Sequence, residues 1–213
     1  MIFDSLVEFA GTQPCFDLAL LVQGFDEKRE VIRVQLSRWM AQGKVIGLRR
    51  GMYTLPERYR RATLTPAWLA NRLYRPSYVS GLWALGFYDM IPEKVVWLTS
   101  VTPRVPCRFE NPFGVFEYRN LKQDFFFGYL AVQHGGQEML VAYPEKALLD
   151  HWHLTPGEWT VARLTEMRYQ QWDRVLPERL GDFTERFGSP RLQRAVERWW
   201  RVVGAQARGT VTL

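Results

Sequence analysis

The sequence has little cysteine and histidine and no long uncharged segment, and each shortage excludes a class of protein. Two cysteines, Cys15 and Cys107, are too few for a disulfide framework or for a four-cysteine zinc site. No stretch without charge exceeds 13 residues, as at 76–88, whereas a membrane-spanning helix needs about 20 apolar residues. Asp4 and Glu8 lie where a secretory signal has basic residues. We therefore expect a cytoplasmic protein with reduced thiols and no membrane partner.

The sequence does contain enough material for a folded core, and its charge is unevenly distributed. The chain has 213 residues, of which 47% are hydrophobic and 15% aromatic. This composition excludes disorder as the main state, and the length fits one large domain or two small ones. The net charge is +6, and residues 26–61 hold ten basic residues against four acidic ones. Such an excess is typical of a phosphate-binding surface; the alternative is an arginine-rich surface with no partner.

The first part of the chain predicts three helices. Residues 2–10 have a one-sided apolar pattern, and residues 16–22 form a short second helix. Asp26 is the expected N-cap of a third helix that runs through Gln42, with Gly43 just beyond its end. The apolar residues of the third helix cluster on one face, namely Ile32, Leu36, Trp39 and Met40.

A hairpin follows the third helix. Residues 45–48 and 52–55 predict two strands, joined by the tight turn Arg49-Arg50-Gly51. Three helices followed by a hairpin with a basic tip are the plan of a winged helix-turn-helix, in which the third helix enters the major groove and the wing reaches the flanking backbone. We therefore predict a DNA-binding domain over residues 1–61. The alternative is a small module for protein contacts.

The residues expected to contact DNA lie on the third helix and at the hairpin turn. Base edges or thymine methyls would be read by the exposed helix face, which carries Arg33, Val34, Ser37 and Arg38. Phosphate contacts, which fix the register, are assigned to Lys28, Arg29, Arg49 and Arg50. Lys28 and Arg29 lie in the first turn of the helix, where the helix dipole favours anions. A nearby phosphate would relieve that conflict.

Residues 62–213 predict an α+β domain with a helical C-terminal part. A helix at 67–73 begins after Pro66, and a second helix covers 78–87. The segments of strand character are 95–101, 114–120, 125–132 and 138–142. A helix begins at Pro144, and the last three predicted helices cover 157–169, 173–187 and 190–204.

Three motifs follow one another in an informative order. They are RRGMY at 49–53, PSYVS at 76–80 and PEKALLD at 144–150, the last preceded by Ala142. In this combination the chain resembles the AbiEi-type antitoxins, the transcriptional-regulator halves of AbiE toxin–antitoxin systems, over nearly its whole length. Many relatives have Ser-Ala-Leu and His-Gly in the helix after PSY. This chain has other residues at 83–86, so no role is carried onto that segment.

The resemblance implies an antitoxin with two tasks and no catalysis or cofactor. The winged helix would bind inverted repeats in double-stranded DNA at its own promoter and repress the toxin–antitoxin operon. The domain at 62–213 would neutralise the cognate nucleotidyltransferase toxin. In the best-known form of the family this neutralisation is indirect, whereas related pairs form direct complexes, and the sequence leaves both open.

Two alternatives to the antitoxin are a nuclease-like enzyme targeted by a winged helix and a free-standing repressor that senses a small ligand. The sequence has no P-loop and no G-x-S-x-G, and Gly188-Ser189 is not followed by the paired aspartates of a nucleotidyltransferase. His151 and His153 diverge if they lie on a helix, so we predict no metal site. Glu145 is expected to be a helix-start charge and Lys146 a solvated or paired lysine, since no suitable aspartate partner for a nuclease-like site is evident.

The final predicted helix carries a stripe of arginines opposite its apolar face. The stripe consists of Arg191, Arg194, Arg198 and Arg201. Three interpretations remain open: a solvated face, a contact surface for the toxin or its nucleic acid, and additional contact with the DNA backbone. Arginine suits bidentate contacts to carboxylate or phosphate, which favours a contact surface.

Overall fold

The computed structural model describes the backbone of residues 1–210 and the side chains of residues 1–207. Helix makes up 46% of the chain and strand 19%, which confirms the expected mixed α+β class. Among the described helices, none combines the length and the apolar character that a bilayer crossing needs.

The N-terminal part contains three helices and a small antiparallel sheet with strand order β1-β3-β2. Its elements are α1 (Phe3–Ala10), β1 (Phe16–Asp17), α2 (Leu18–Gly24), α3 (Arg29–Ala41), β2 (Ile46–Arg49) and β3 (Met52–Thr54). The helices bury one face each around a common core, which is why their apolar residues recur at helical spacing. That core is formed by Leu6, Ala10, Phe16, Leu18, Leu21, Ile32, Leu36, Val45 and Leu55.

Two boundaries in this part differ from the sequence prediction. Phe16 and Asp17 pair with β3 as a short strand, so the second helix begins at Leu18. The Asp17 carboxylate caps that helix by accepting from the backbone N–H of Leu20 at 2.8 Å. The predicted N-cap Asp26 is wrong: α3 begins at Arg29, and its N-cap is Lys28, whose side chain makes no capping hydrogen bond.

The second part is built on a six-stranded mixed sheet with strand order β6-β7-β5-β4-β9-β8. Its elements as far as α6 are α4 (Pro66–Leu73), β4 (Tyr78–Val79), α5 (Gly81–Phe87), β5 (Leu98–Thr102), β6 (Cys107–Asn111), β7 (Gly114–Asn120), β8 (Tyr129–His134), β9 (Gln137–Ala142) and α6 (Pro144–Leu154). Tyr78 begins a strand rather than the predicted helix, and β6 has no counterpart in the sequence prediction. β6 alternates half-buried and exposed residues and lies at the edge of the sheet, so its apolar signal is weak.

Helices cover both faces of this sheet, as the alternation of β7 makes clear. The buried Tyr118 points towards α4, where its hydroxyl donates to the carbonyl of Ala70 at 2.5 Å. The next residue, Arg119, points to the opposite face, where it donates to the carbonyl of Leu154 at the end of α6 at 3.0 Å. Successive strand residues face opposite sides, so α4 and α6 form separate layers.

The C-terminal helices pack around α6, which is the most buried helix of the described chain. They are α7 (Val161–Glu166), α8 (Pro177–Phe187) and α9 (Pro190–Thr210). Trp152 of α6 is fully buried against Trp159 and Trp199, and the Trp152 indole donates to the Tyr169 hydroxyl at 3.1 Å. Large aromatic side chains therefore tie α9 and the segments between the helices to α6.

The hairpin of β2 and β3 joins the two parts. Leu48 and Met52 are buried in the core of the second part, not in that of the first. Asn111 of β6 donates to the backbone carbonyl of Leu48 at 3.1 Å. The hairpin is thus packed against the edge of the large sheet. The division at residues 1–61 and 62–213 stays a prediction.

Candidate nucleic-acid interface

The DNA-contacting residues predicted from the sequence all lie on the surface. On α3, Ile32 and Leu36 are buried, so the opposite face points to solvent. Each of the eight predicted residues is exposed, namely Lys28, Arg29, Arg33, Val34, Ser37, Arg38, Arg49 and Arg50. The helix therefore presents the expected polar face outward.

A groove brings the two predicted contact elements together. It has a volume of about 420 Å³ and lies between the start of α2, the first turns of α3 and the β2–β3 turn. Four arginines line it, two from α3 and two from the hairpin: Arg29, Arg33, Arg49 and Arg50. The other four predicted residues are exposed on α3 or at its N-cap and do not line this groove. We call this cavity the first groove.

The hairpin turn depends on a glycine. Gly51 has a φ of +78°, which lies in the left-handed region that residues other than glycine adopt only at a cost in energy. A bulge places Arg49 opposite Met52, and the Arg49 guanidinium donates to the Arg50 carbonyl at 3.2 Å. The turn therefore holds both arginines at the rim of the first groove.

The arginines of the first groove form no ion pair among the side chains that the structure describes, since no carboxylate there lies within 4 Å of their charged atoms. Asp17 also lines the groove and caps α2, and its charge offsets only one of the four positive charges. Four like charges in one concavity focus a positive potential, which attracts phosphate groups. Guanidinium groups bind phosphate oxygens in a planar, bidentate geometry.

Residues of the PSYVS and PEKALLD motifs meet in a second, fully buried cluster. The Asp150 carboxylate accepts from the Ser80 hydroxyl at 2.7 Å and from the Tyr78 hydroxyl at 3.0 Å. Lys146, one helical turn earlier, donates to the Tyr78 hydroxyl at 2.8 Å and forms an ion pair with Asp150. We call these four residues the buried quartet. It joins β4 and the residue after it to α6, so the two motifs are in contact.

Burial controls the chemistry of the quartet. It lowers the pKa of the Lys146 ammonium, an effect that the neighbouring Asp150 opposes. Burial and the Asp150 charge together raise the pKa of the Tyr78 hydroxyl well above its usual value. The side chains of Lys146 and Asp150 are 0% exposed, so no substrate reaches them. The quartet is an internal network of hydrogen bonds and one ion pair.

Glu145 and Lys146 agree with the sequence interpretation. Lys146 is a paired lysine, with Asp150 as its partner, and Glu145 lies in the first turn of α6. Glu145 is completely buried and accepts from the backbone N–H of Leu176 at 2.6 Å. Arg179 lies 3.5 Å from the second oxygen of the Glu145 carboxylate. Glu145 thus holds the start of α8 against α6.

The two histidines near the end of α6 lie on a helix, as the sequence analysis expected. Burial, together with the nearby Arg163 and Arg119, lowers the pKa of His151 to about 4. Burial also lowers the pKa of His153. Among the described residues, no group of three or more potential metal ligands comes together.

The arginine stripe of α9 is largely engaged within the chain. Arg191 donates to the carbonyls of His153, Thr155 and Gly157 at 2.8–3.1 Å. Arg194 and Arg198 form ion pairs with Glu158 at 2.6 and 3.0 Å. These two guanidinium groups lower the pKa of Glu158 to about 2. Only Arg201 of the stripe is exposed without a partner among the described side chains, and its contact with a toxin or nucleic acid stays a prediction.

The sequence analysis missed Arg72 and Arg75, which border a neighbouring cavity together with Arg49. Both belong to the second part of the chain, and they become neighbours of the hairpin only in the folded structure. No local signal in the sequence would have selected them. Comparisons with models of known protein families and with curated proteins find no match to this chain.

Proposed function

We propose that this protein is a DNA-binding autorepressor and the antitoxin of a toxin–antitoxin operon. In this proposal, α2 and α3 are the helix-turn-helix and the β2–β3 hairpin is the wing of a winged helix-turn-helix. Its partners are the inverted repeats of the operator and a nucleotidyltransferase toxin, met in the cytoplasm. The chain binds and does not catalyse.

One observation carries the DNA-binding proposal. The arginines of α3 and those of the hairpin turn line the same groove, and their charges have no acidic partner in the described chain. Two elements that are separate in sequence thus present cations on one surface. A module that binds only proteins has no need to hold four like charges together without partners, since their mutual repulsion is destabilising.

The exposed residues divide into two roles. Arg33, Val34, Ser37 and Arg38 lie on the outward face of α3, which in a winged helix enters the major groove and reads bases. Phosphates would be held at the N-terminus of α3 and at the hairpin turn by Lys28, Arg29, Arg49 and Arg50.

The antitoxin part of the proposal rests on the resemblance to the AbiEi-type antitoxins. The contact between its PSYVS and PEKALLD motifs in the buried quartet supports it, because this contact gives a physical reason for the two motifs to occur together. The nuclease-like alternative is less well supported. Glu145 and Asp150 are fully buried and engaged with Arg179, Leu176 and the quartet.

A titration of duplex DNA from the protein's own promoter region tests the DNA-binding proposal. We expect the binding constant to fall with salt at a log–log slope of about −4 to −6 per bound monomer. Arg49→Ala with Arg50→Ala should weaken binding to every sequence alike, whereas Arg33→Ala should also relax base preference. A flat salt response would contradict DNA binding, and equal loss of preference in both variants would contradict the division of roles.

Co-expression with the product of the adjacent gene tests the antitoxin part. We expect rescue of growth, and co-purification distinguishes a direct complex from indirect neutralisation. Absence of rescue, in cells where the protein is folded and abundant, would contradict the proposal. Cleavage of the promoter duplex by the purified chain in the presence of Mg²⁺ would favour the nuclease-like alternative instead.

A further inference from the structure

A second groove adjoins the first and continues its positive charge across the two parts of the chain. It has a volume of about 470 Å³ and shares Asp17 and Arg49 with the first groove. Its far side is formed by the second part of the chain, with Trp68 and Arg72 from α4 and Arg75 from the segment that follows this helix. The two grooves together are lined by six arginines, namely Arg29, Arg33, Arg49, Arg50, Arg72 and Arg75.

Arg72 in the last turn of α4 and Arg75 just beyond it, called the α4 arginines below, are exposed and held in position. The Arg72 guanidinium lies over the Trp68 ring at 4.9 Å from its centroid, and the Arg75 guanidinium donates to the Asn71 carbonyl at 3.2 Å. A cation in the last turn of a helix is favoured by the helix dipole, which explains one arginine at this place. It does not explain why two adjoin Arg49. Burial and the proximity of Arg72 lower the pKa of Arg75, which records the repulsion between them.

Acidic groups are few along this surface. Asp17 is the carboxylate that lines both grooves; it caps α2, and its charge offsets one of the six arginines. Across the described side chains, neither Arg72 nor Arg75 has a carboxylate within 4 Å. The two grooves are thus lined by six arginines and one carboxylate, Asp17, so a net positive surface runs from α3 over the hairpin turn to the end of α4, as expected of a surface that follows a phosphate backbone.

We infer that bound duplex DNA continues past the hairpin turn and that Arg72 and Arg75 contact its phosphates. This inference rests on the proposed function and adds to it a contact made by the second part of the chain. The α4 contacts are to the backbone and thus independent of sequence, so they lengthen the bound site without adding to base recognition. The large sheet, which carries α4, then takes part in DNA binding directly.

The test compares wild type with Arg72→Gln plus Arg75→Gln on mixed-sequence duplexes of about 12 and 30 base pairs, the shorter being little more than one helical turn. For the long duplex, we expect the salt slope of the variant to be shallower by about two, since two phosphate contacts are lost. For the short duplex, wild type and variant should differ little. Lys94→Gln plus Lys122→Gln removes two exposed charges outside both grooves and should leave both slopes unchanged.

Other outcomes separate failure of this inference from failure of the proposed function. Unchanged long-duplex binding in the α4 variant, with weakened binding in Arg49→Ala plus Arg50→Ala, would overturn the inference alone. Absence of salt-dependent binding by wild type would overturn the proposed function itself. If the α4 variant kept full DNA binding but lost co-purification with the adjacent gene product, the α4 surface would belong to a protein partner. Phosphate-ethylation interference can be measured on the wild-type protein without any variant. Interference at phosphates confined to one helical turn would also overturn the inference.

Discussion

At the scale of single residues, the buried charges of Lys146 and Asp150 are compensated within the buried quartet. Lys146 and Asp150 are both fully buried, and two hydroxyls complete the hydrogen bonding of the carboxylate. Removing a charge from water is costly, and a buried ion pair offsets that cost only with good geometry and further hydrogen bonds. The buried quartet meets this condition, so each of its members depends on the others.

Breaking the quartet from one side should destabilise the protein strongly. We expect Asp150→Ala to lower the free energy of unfolding by about 3–5 kcal/mol, because it leaves the Lys146 charge buried and unpaired. Lys146→Met combined with Asp150→Leu should recover much of this loss, since no uncompensated charge remains. Urea denaturation measures both. Ser80→Ala removes one hydrogen bond and serves as the milder control, and a loss as large as that of Asp150→Ala would show that the ion pair is not the dominant contribution.

At the scale of elements, the sequence predicts those whose apolar residues follow a regular period. The bounds of α4, β7 and the start of α6 agree with the prediction within a residue. Residues 78–79 join a strand because they complete the centre of the large sheet between β5 and β9. Their apolar character is compatible with either helix or strand, so only the long-range pairing decides it. The arginines of the two grooves show the same limit. The four arginines of the first groove were predicted from the sequence, whereas the position of Arg72 and Arg75 beside Arg49 depends on tertiary packing.

Arg191 links α9 to the end of α6, whereas Arg201 of the same helix makes no such contact with the described side chains. Arg191 donates to three carbonyls at and beyond the end of α6. We expect Arg191→Ala to cost about 1.5–3 kcal/mol of unfolding free energy, as hydrogen bonds from a charged donor are lost. The matched control is Arg201→Ala on the same helix, which should change stability by no more than about 0.5 kcal/mol. Thermal unfolding measures both, and equal effects would mean that the Arg191 contacts contribute little.

At the scale of the whole molecule, the hairpin contributes both to the first groove and to the core of the second part. Its turn carries two of the four arginines of the first groove, and its strands place Leu48 and Met52 in the core of the second part. The hydrogen bond from Asn111 adds a further link to β6. The N-terminal part is therefore not suspended on a flexible linker, and we expect the chain to unfold as one cooperative unit.

A substitution in the hairpin, directly before its turn, tests this coupling. Leu48→Ala should cost about 2–5 kcal/mol, as expected for a buried leucine, and should separate a single calorimetric transition into two. Leu36→Ala removes a leucine that is equally buried but lies only in the N-terminal core, so it should lower the transition temperature without loosening the hairpin. If both variants kept one transition with similar shifts, the hairpin would not be the link between the two parts.

Leu48 and Arg49 are consecutive residues, so a side chain buried in the core directly precedes one that lines the first groove. A change in the packing of Leu48 beside β6 would therefore move Arg49 as well. If the chain binds DNA as proposed, a protein partner that alters this packing would change the affinity for DNA, and bound DNA would change the affinity for that partner by the same factor. In the proposed function, repression of the promoter and neutralisation of the toxin would then depend on the same conformational equilibrium.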